Sequence, residues 1–419
     1  LTCTPAEGYR LARITGVEEL TDNGDGTYTF IMPDHTADIK VLFLRHENPF
    51  FDVNETQFFY DSVLWAMEEG ITSGVSATAF LAAAPTYPKT VLYPHREDYA
   101  NYNDYRAALD AWSAFQGIQY DQPEGYADSL TDFFFSSMAQ FLQGEGNPTY
   151  SPLNVYMAMA MLAETTDGNS RQQILDLFGV DTIEQLRQQA GNVWNAHYSD
   201  DGETTLLLAN SLWLDDGYAF KKQTAQLLAD RYYASSFHGD LGTEKLDKQL
   251  QAWLNENTGD LLKDQAQKVT LDPQTVFALA STVYFSAGWD AKFSEGNTKD
   301  AVFHAPNGDI TTPFMNKTIT QYTYYWGDNF GAIYLELTGD NRMWLILPDE
   351  GYTTTDILAS EDYLRMTLDP GSWENKGAYK INLSLPKFDV VNEMDLIEGM
   401  KAMGVTDIFD YTVSDFTPM

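Results

Sequence analysis

From about residue 126 onward the apolar positions follow two rhythms, one helical and one alternating. Leu130, Phe133, Phe134, Met138 and Phe141 recur at helical spacing, and Gly144 closes that stretch. Ser151-Pro152 predicts a helix start: the serine oxygen satisfies free N–H groups, and proline at the first helical position has no N–H to leave orphaned. The helix it opens, residues 153–163, is apolar nearly all round and is therefore expected to be buried, with Gly168 ending it. A further helix is expected over 170–178, stopped by Gly179. Residues 204–214 alternate as a strand, and 220–233 and 244–257 read as helices. Residues 275–285 are mostly apolar over a long run, which predicts a central strand covered on both faces. Two more buried strands are expected at 332–335 and 343–347, the second closed by Pro348. Residues 379–388 alternate cleanly, and a helix over 393–403 ends at Gly404. Mixed strands and helices of this kind predict a large α+β domain.

The chain before residue 126 has a different texture. Residues 1–46 read as short strands: Leu11, Ile14 and Val17, then the turn cluster Asp22-Asn23-Gly24-Asp25-Gly26, then an alternating run from Thr27 to Met32. Asn-Gly and Asp-Gly supply the positive-φ positions of a tight hairpin. The spacing of a calcium loop, with Gly sixth and Glu twelfth, is not met, so the turn chemistry predicts a hairpin. Tyr60, Val63, Leu64 and Met67 recur at helical spacing, with Gly70 at a natural stop. Residues 87–122 are rich in Tyr, Asp and Asn, and a short helix over 105–115 is expected in what reads as a linker or docking extension.

Charge and composition narrow the function. Lys and Arg total 25 against 61 Asp and Glu, a formal net charge of −36. Phosphate and anionic membrane surfaces would repel such a chain, so nucleic acid is excluded as a partner. Hydrophobic residues at 44% supply real cores, yet no run approaches the length of a membrane span. With one cysteine, Cys3, neither an internal disulfide nor a Cys/His zinc cluster can form. The six histidines show no metal-ligand spacing, and no nucleophile elbow, Walker loop or dinucleotide fingerprint occurs. No enzyme chemistry, metal or cofactor is therefore expected. Acidity with almost no cysteine fits a bacterial protein that is secreted or held at the cell surface. The first residue is Leu1 with no signal-like run after it, so the sequence reads as a fragment or processed chain.

Three family resemblances emerge from ordered motifs. The stretch around Tyr9 and Thr27-Tyr28-Thr29-Phe30-Ile31-Met32-Pro33-Asp34 resembles the small β repeats of bacterial surface proteins. Phe50-Phe51-Asp52-Val53, Phe59 to Ile71, Gly74 and Phe80 resemble the first half of an S-layer homology repeat, whose members bind cell-wall polysaccharide. The Thr-Arg-Ala-Glu-like motif of its second half is absent after Phe80, where Leu81-Ala82-Ala83-Ala84-Pro85 stands instead. From about Tyr126 to Met419 the chain resembles a serpin. The match runs through Ser151-Pro152-Leu153, Gly168-Asn169-Ser170, Asn210-Ser211-Leu212-Trp213, Thr258-Gly259 and Tyr284-Phe285-Ser286-Ala287-Gly288-Trp289. It continues through Phe293, Thr298, Phe303, Pro313-Phe314-Met315, Ile346-Leu347-Pro348, Leu385-Pro386-Lys387-Phe388, Met403 to Phe409 and Asp415-Phe416. The expected organisation is a surface β-repeat at 1–46, a partial S-layer-like module at 47–86, a linker at 87–122 and a serpin-like multi-sheet, multi-helix domain at 123–419.

The serpin resemblance implies inhibition of a serine or cysteine protease by a suicide-substrate mechanism. A bait loop is cut and then inserts as an extra strand in the large sheet. It implies no catalytic residue, a target protease as partner and a monomer when complete. The family places its hinge and bait loop after the Asp-Phe pair, here Asp415-Phe416, and the sequence ends at Met419. The loop, its scissile bond and the strands around it are thus expected to be missing, and this chain alone is expected to be inactive. The resemblance also implies a polar latch that lets the sheet open, at Ser151, Asn154 and Ser281, and a loop-insertion point at Trp289. Asn154 replaces the family's usual Ser, and Ser281-Thr282 its usual Asn-Ala. A non-inhibitory envelope protein that uses the same scaffold for binding or display is the alternative.

Overall fold

The computed structural model describes residues 9–15, 18–22, 27–31, 40–45, 94, 96, 99, 101–120, 122–144 and 146–419. The S-layer-like stretch at 47–86 lies outside the described residues. In the N-terminal part, β1 (Tyr9–Thr15) pairs antiparallel with β4 (Lys40–Arg45). Strands β2 (Glu18–Asp22) and β3 (Tyr28–Ile31) pair antiparallel, with Asp22 opposite Tyr28. The turn cluster between them, residues 23–26, lies outside the described residues.

Helix α1 (Tyr102–Tyr120) is longer at both ends than residues 105–115. It packs on a later helix, and Trp112 Nε1 donates to the Asp200 carbonyl at 3.0 Å. The linker thus docks by this helix onto the body.

The body opens with α2 (Thr131–Phe141) and α3 (Pro152–Thr165). Ser151 Oγ accepts from the Asn154 amide at 3.2 Å, and Pro152 follows it, which is the start that the Ser-Pro pair predicts. The helix ends at Thr165, and Gly168 does not stop it but begins α4 (Gly168–Leu177). Gly168 has φ of +55°, a left-handed turn between two helices that glycine adopts without a Cβ clash. Next is α5 (Ile183–His197), absent from the pattern reading although its capping box is written in Thr182 and Gln185.

The first sheet has β6 (Thr205–Asp215) at its centre. On one edge β6 pairs with β5 (Ser199–Asp200) and, in parallel, with β7 (Ala234–Gly239), reached through α6 (Lys222–Tyr232). After α7 (Glu244–Glu256) and the single turn α8 (Lys263–Ala266), β8 (Phe277–Ser286) returns to the other edge of β6. One face of this sheet packs Leu208, Leu212 and Leu214 on Met157, Ala160, Val193 and Leu228 of the helices. The opposite face packs Ala209 and Trp213 on Phe237, Leu246, Leu250 and Trp253.

The second sheet has the order β12-β11-β10-β13, with β9 also on β10. Its strands are β9 (Thr298–Ala305), β10 (Gly308–Trp326), β11 (Phe330–Glu336), β12 (Arg342–Pro348) and β13 (Lys376–Pro386). Helices α9 (Thr354–Leu358) and α10 (Asp362–Leu368) cover one face through Ile357, Tyr363 and Met366. The last helix, α11 (Ile397–Ala402), is shorter than the expected 393–403, because residues 387–396 run without regular structure.

Candidate functional site

The α3–β8 interface collects most of the residues singled out from sequence. Ten consecutive pairs bind β8 to β6, from Thr205 opposite Ser286 to Leu214 opposite Phe277. Both faces of β8 pack: Phe277, Leu279 and Val283 toward α3, Ala278 and Ala280 toward α7. The apolar run was expected to mark a central strand. Among the described residues, the edge of β8 away from β6 carries no partner strand. The described residues do not include the strands that the serpin resemblance places after Asp415-Phe416, so this bare edge does not overturn the central position that the apolar run predicts. A free edge is a row of N–H and C=O groups able to template another strand.

The four candidates divide into two places. Ser151 is exposed at the start of α3, where its hydroxyl is engaged as the helix cap. Asn154 lies one turn further on, and its Oδ1 is buried with no hydrogen-bond partner. Helix α3 packs across β8, on which Ser281 sits opposite Asn210 of β6. Asn210 is fully buried; its Nδ2 donates to the Tyr232 carbonyl at 2.8 Å, while its Oδ1 has no partner. Sequence reasoning quoted Asn210 only as part of a motif, yet it is a second unsatisfied carbonyl beside this layer. A buried amide oxygen costs free energy unless it finds a partner, so both are groups that an added strand or ordered water could satisfy.

Trp289 stands apart, beyond the end of β8. It forms an isolated bridge with Leu337, and its ring meets Phe293 edge-on at 5.3 Å. It packs partly buried on Ile333, Leu335 and Leu385 of the second sheet. Beside it, a threonine joins the two sheets. Thr338 Oγ1 accepts from Gly288 N at 3.0 Å and is 2.6 Å from Thr204 Oγ1, while Thr338 N donates to the Gly288 carbonyl at 2.9 Å. Gly339 turns there with φ of +69°, and a Cβ on it would lie 2.8 Å from Thr204 Oγ1. No sequence signal marked Thr338 or Gly339; their role comes from the meeting of two loops distant in the chain.

Among the described residues no cluster of three or more His, Cys, Asp or Glu could hold a metal, and no helix is long and apolar enough to cross a membrane. What the arrangement offers is a strand edge, a helix packed across it and a junction at one end.

Comparison with known proteins agrees with that architecture. Residues 128–419 match the family described as "Serpin (serine protease inhibitor)". The chain is 26% identical over 278 residues to Serpin-ZX of Arabidopsis thaliana, covering 63% of this chain and 70% of that protein. It is 26% identical over 286 residues to the leukocyte elastase inhibitor of Equus caballus, covering 65% of this chain and 74% of that protein. The crystal structure of the thermophilic serpin tengpin in its latent state superposes with a TM-score of 0.63 at 22% identity. That superposition covers 71% of this chain and 80% of tengpin.

Proposed function

The chain belongs to the serpin family, whose members are mostly protease inhibitors and not enzymes, and from that premise we propose that it serves to trap a serine or cysteine protease. The observation that carries the proposal is the placement of β8: packed on both faces, bound to β6 by ten ladder pairs, and presenting its other edge to the strands that the serpin resemblance places after Asp415-Phe416. A cleaved bait loop laid along that edge gains a ladder of hydrogen bonds and buries alternate side chains, and neither gain is open to the loop in solvent. The native state is then metastable, and the free energy released by insertion drives the trap.

In this reading the reactive-centre loop is the segment that the family places after its Asp-Phe pair, here Asp415-Phe416, and the protease is the partner. Asn154, Asn210 and Ser281 form the polar layer that an inserting strand reorganises, and Ser151 holds the first turn of α3 in place beneath it. Trp289, bridged to Leu337, marks the end of β8 at which insertion begins. An extracellular or cell-surface setting, with the N-terminal modules as spacers toward the wall, is part of the same proposal and rests on the resemblance of residues 1–86.

The test is a denaturing gel of the gene product that contains these 419 residues, mixed with a panel of serine and cysteine proteases. A covalent band at the summed mass with at least one protease is expected. Cleavage of the loop with no such band for any protease, and no gain in thermal stability after the cut, would overturn the proposal.

A further inference from the structure

A second feature lies on the other sheet and is independent of protease trapping. Tyr324 and Trp326 are two residues apart on β10 and so share a face. Their rings are near parallel, 24° apart in plane with centroids 6.2 Å apart. Tyr379 on the neighbouring β13 meets Tyr324 at 82° and 6.0 Å and is 52% exposed. With Lys380 and Ile381 these rings line an open cleft of about 410 Å³, within the ~300–1,000 Å³ usual for small-molecule sites. The result is a floor of two aligned rings with a third ring standing as a wall.

The backbone around the cleft is shaped to hold these rings. A Cβ on Gly331, the register partner of Trp326, would lie 1.8 Å from the Tyr324 hydroxyl oxygen. A Cβ on Gly377, the register partner of Tyr324, would lie 2.9 Å from the Tyr379 ring. Two glycines thus leave the space that two tyrosines fill. Beside them the β10–β13 register slips between Ile319 and Tyr322, and Gln321 takes φ of +56°. A non-glycine residue in the left-handed region is strained, and bulges of this kind re-aim side chains. The Trp373 indole fixes the end of β10 by donating to the Trp326 carbonyl at 3.0 Å.

We propose that this cleft binds a neutral oligosaccharide of pyranose units. A pyranose presents a flat C–H face that stacks on aligned aromatic rings, and its equatorial hydroxyls reach polar groups at the rim, here the Tyr379 hydroxyl. Aromatic side chains with a polar tip suit a surface that is apolar at its centre and wet at its edge. The net charge of −36 repels sulfated and other polyanionic glycans.

The experiment is calorimetric titration of the full chain with cellohexaose, chitohexaose and maltohexaose, each separately, and with tetramethylammonium chloride and a heparin hexasaccharide. At least one neutral hexasaccharide should bind saturably with a dissociation constant below about 1 mM. Tyr379→Ala, at a half-exposed ring, should weaken that binding at least about tenfold with the thermal midpoint unchanged. Trp326→Ala should abolish it, and Tyr379→Phe should retain most of it. Failure of all three neutral hexasaccharides to saturate would overturn the proposal. So would unchanged affinity in Tyr379→Ala, or binding confined to tetramethylammonium or the heparin fragment.

Discussion

Glu164 is the perturbation that probes the body of the protein most sharply. It lies on the last turn of α3 with its side chain 3% exposed. Arg187 of α5 reaches it with Nε to Oε1 at 2.9 Å and Nη2 to Oε2 at 2.9 Å, a two-pronged pair. Tyr232 of α6, fully buried, donates its hydroxyl to Oε1 at 2.9 Å. One carboxylate therefore ties three helices together. Removing one partner of a buried ion pair costs about 3–5 kcal/mol. Arg187 keeps 23% of its side chain exposed, which lets water take part of that loss and lowers the figure to about 2–3 kcal/mol. The orphaned Tyr232 hydroxyl adds about 1 kcal/mol. Glu164→Ala should thus cost about 3–4 kcal/mol in urea unfolding followed by intrinsic fluorescence. Tyr232→Phe should cost about 1–2 kcal/mol, as it leaves the two-pronged pair intact. The double mutant should cost less than the sum of the two, since the orphaned hydroxyl is no longer there to lose its partner. A Glu164→Ala cost below about 0.5 kcal/mol, the range of an exposed pair, would refute the reasoning.

Burial pushes the Tyr150 phenol up from 10.0 to about 12. The unfolded chain loses that proton near 10.0 and the folded one near 12, so stability should hold below about pH 10 and fall between about 10 and 12. Tyr150→Phe should flatten part of that fall in urea midpoints measured across the range. His197, which contacts the Val193 carbonyl through Nδ1 at 2.8 Å, has its pKa lowered from 6.5 by burial. Its contribution should be complete above about pH 6.5 and lost as pH falls through the lowered folded value, and His197→Gln should remove that acid slope. Gly399 of α11 lies so close to α2 that a Cβ there would sit 2.2 Å from the Phe141 ring. Gly399→Ala should therefore lower the thermal midpoint by an amount equivalent to about 1–3 kcal/mol, and Phe141→Leu in the same chain should recover part of it.

What could be read from sequence followed the strength of each local signal. Ser151-Pro152 announced α3 because capping chemistry is local. The Thr182–Gln185 box was equally local, and α5 was missed only because its apolar positions are sparse among Gln, Asn and Arg. Strands β9 and β10 escaped because Thr, Asp, Asn and Lys fill them and leave their apolar alternation weak. The site residues Ser151, Asn154, Ser281 and Trp289 came from family resemblance; spacing alone gave no reason to choose them. The buried Glu164 looked like an ordinary helix carboxylate, since its partners lie 23 and 68 residues away. Thr338, Gly339 and the Tyr324–Trp326–Tyr379 cleft depend on register between strands, which no local pattern encodes.

The central claim is that the edge of β8 accepts a strand, and hydrogen exchange reads it directly. The gene product would be compared before and after cleavage of its loop, with amides of residues 277–286 followed individually. Half of them, those bonded to β6, should be protected in both states, since strand amides alternate in direction. The other half, which face the strands that the serpin resemblance places after Asp415-Phe416, should gain protection after the cut, when the loop inserts beside β8. No gain in protection of that second set after cleavage, or a loss of protection there, would contradict the account.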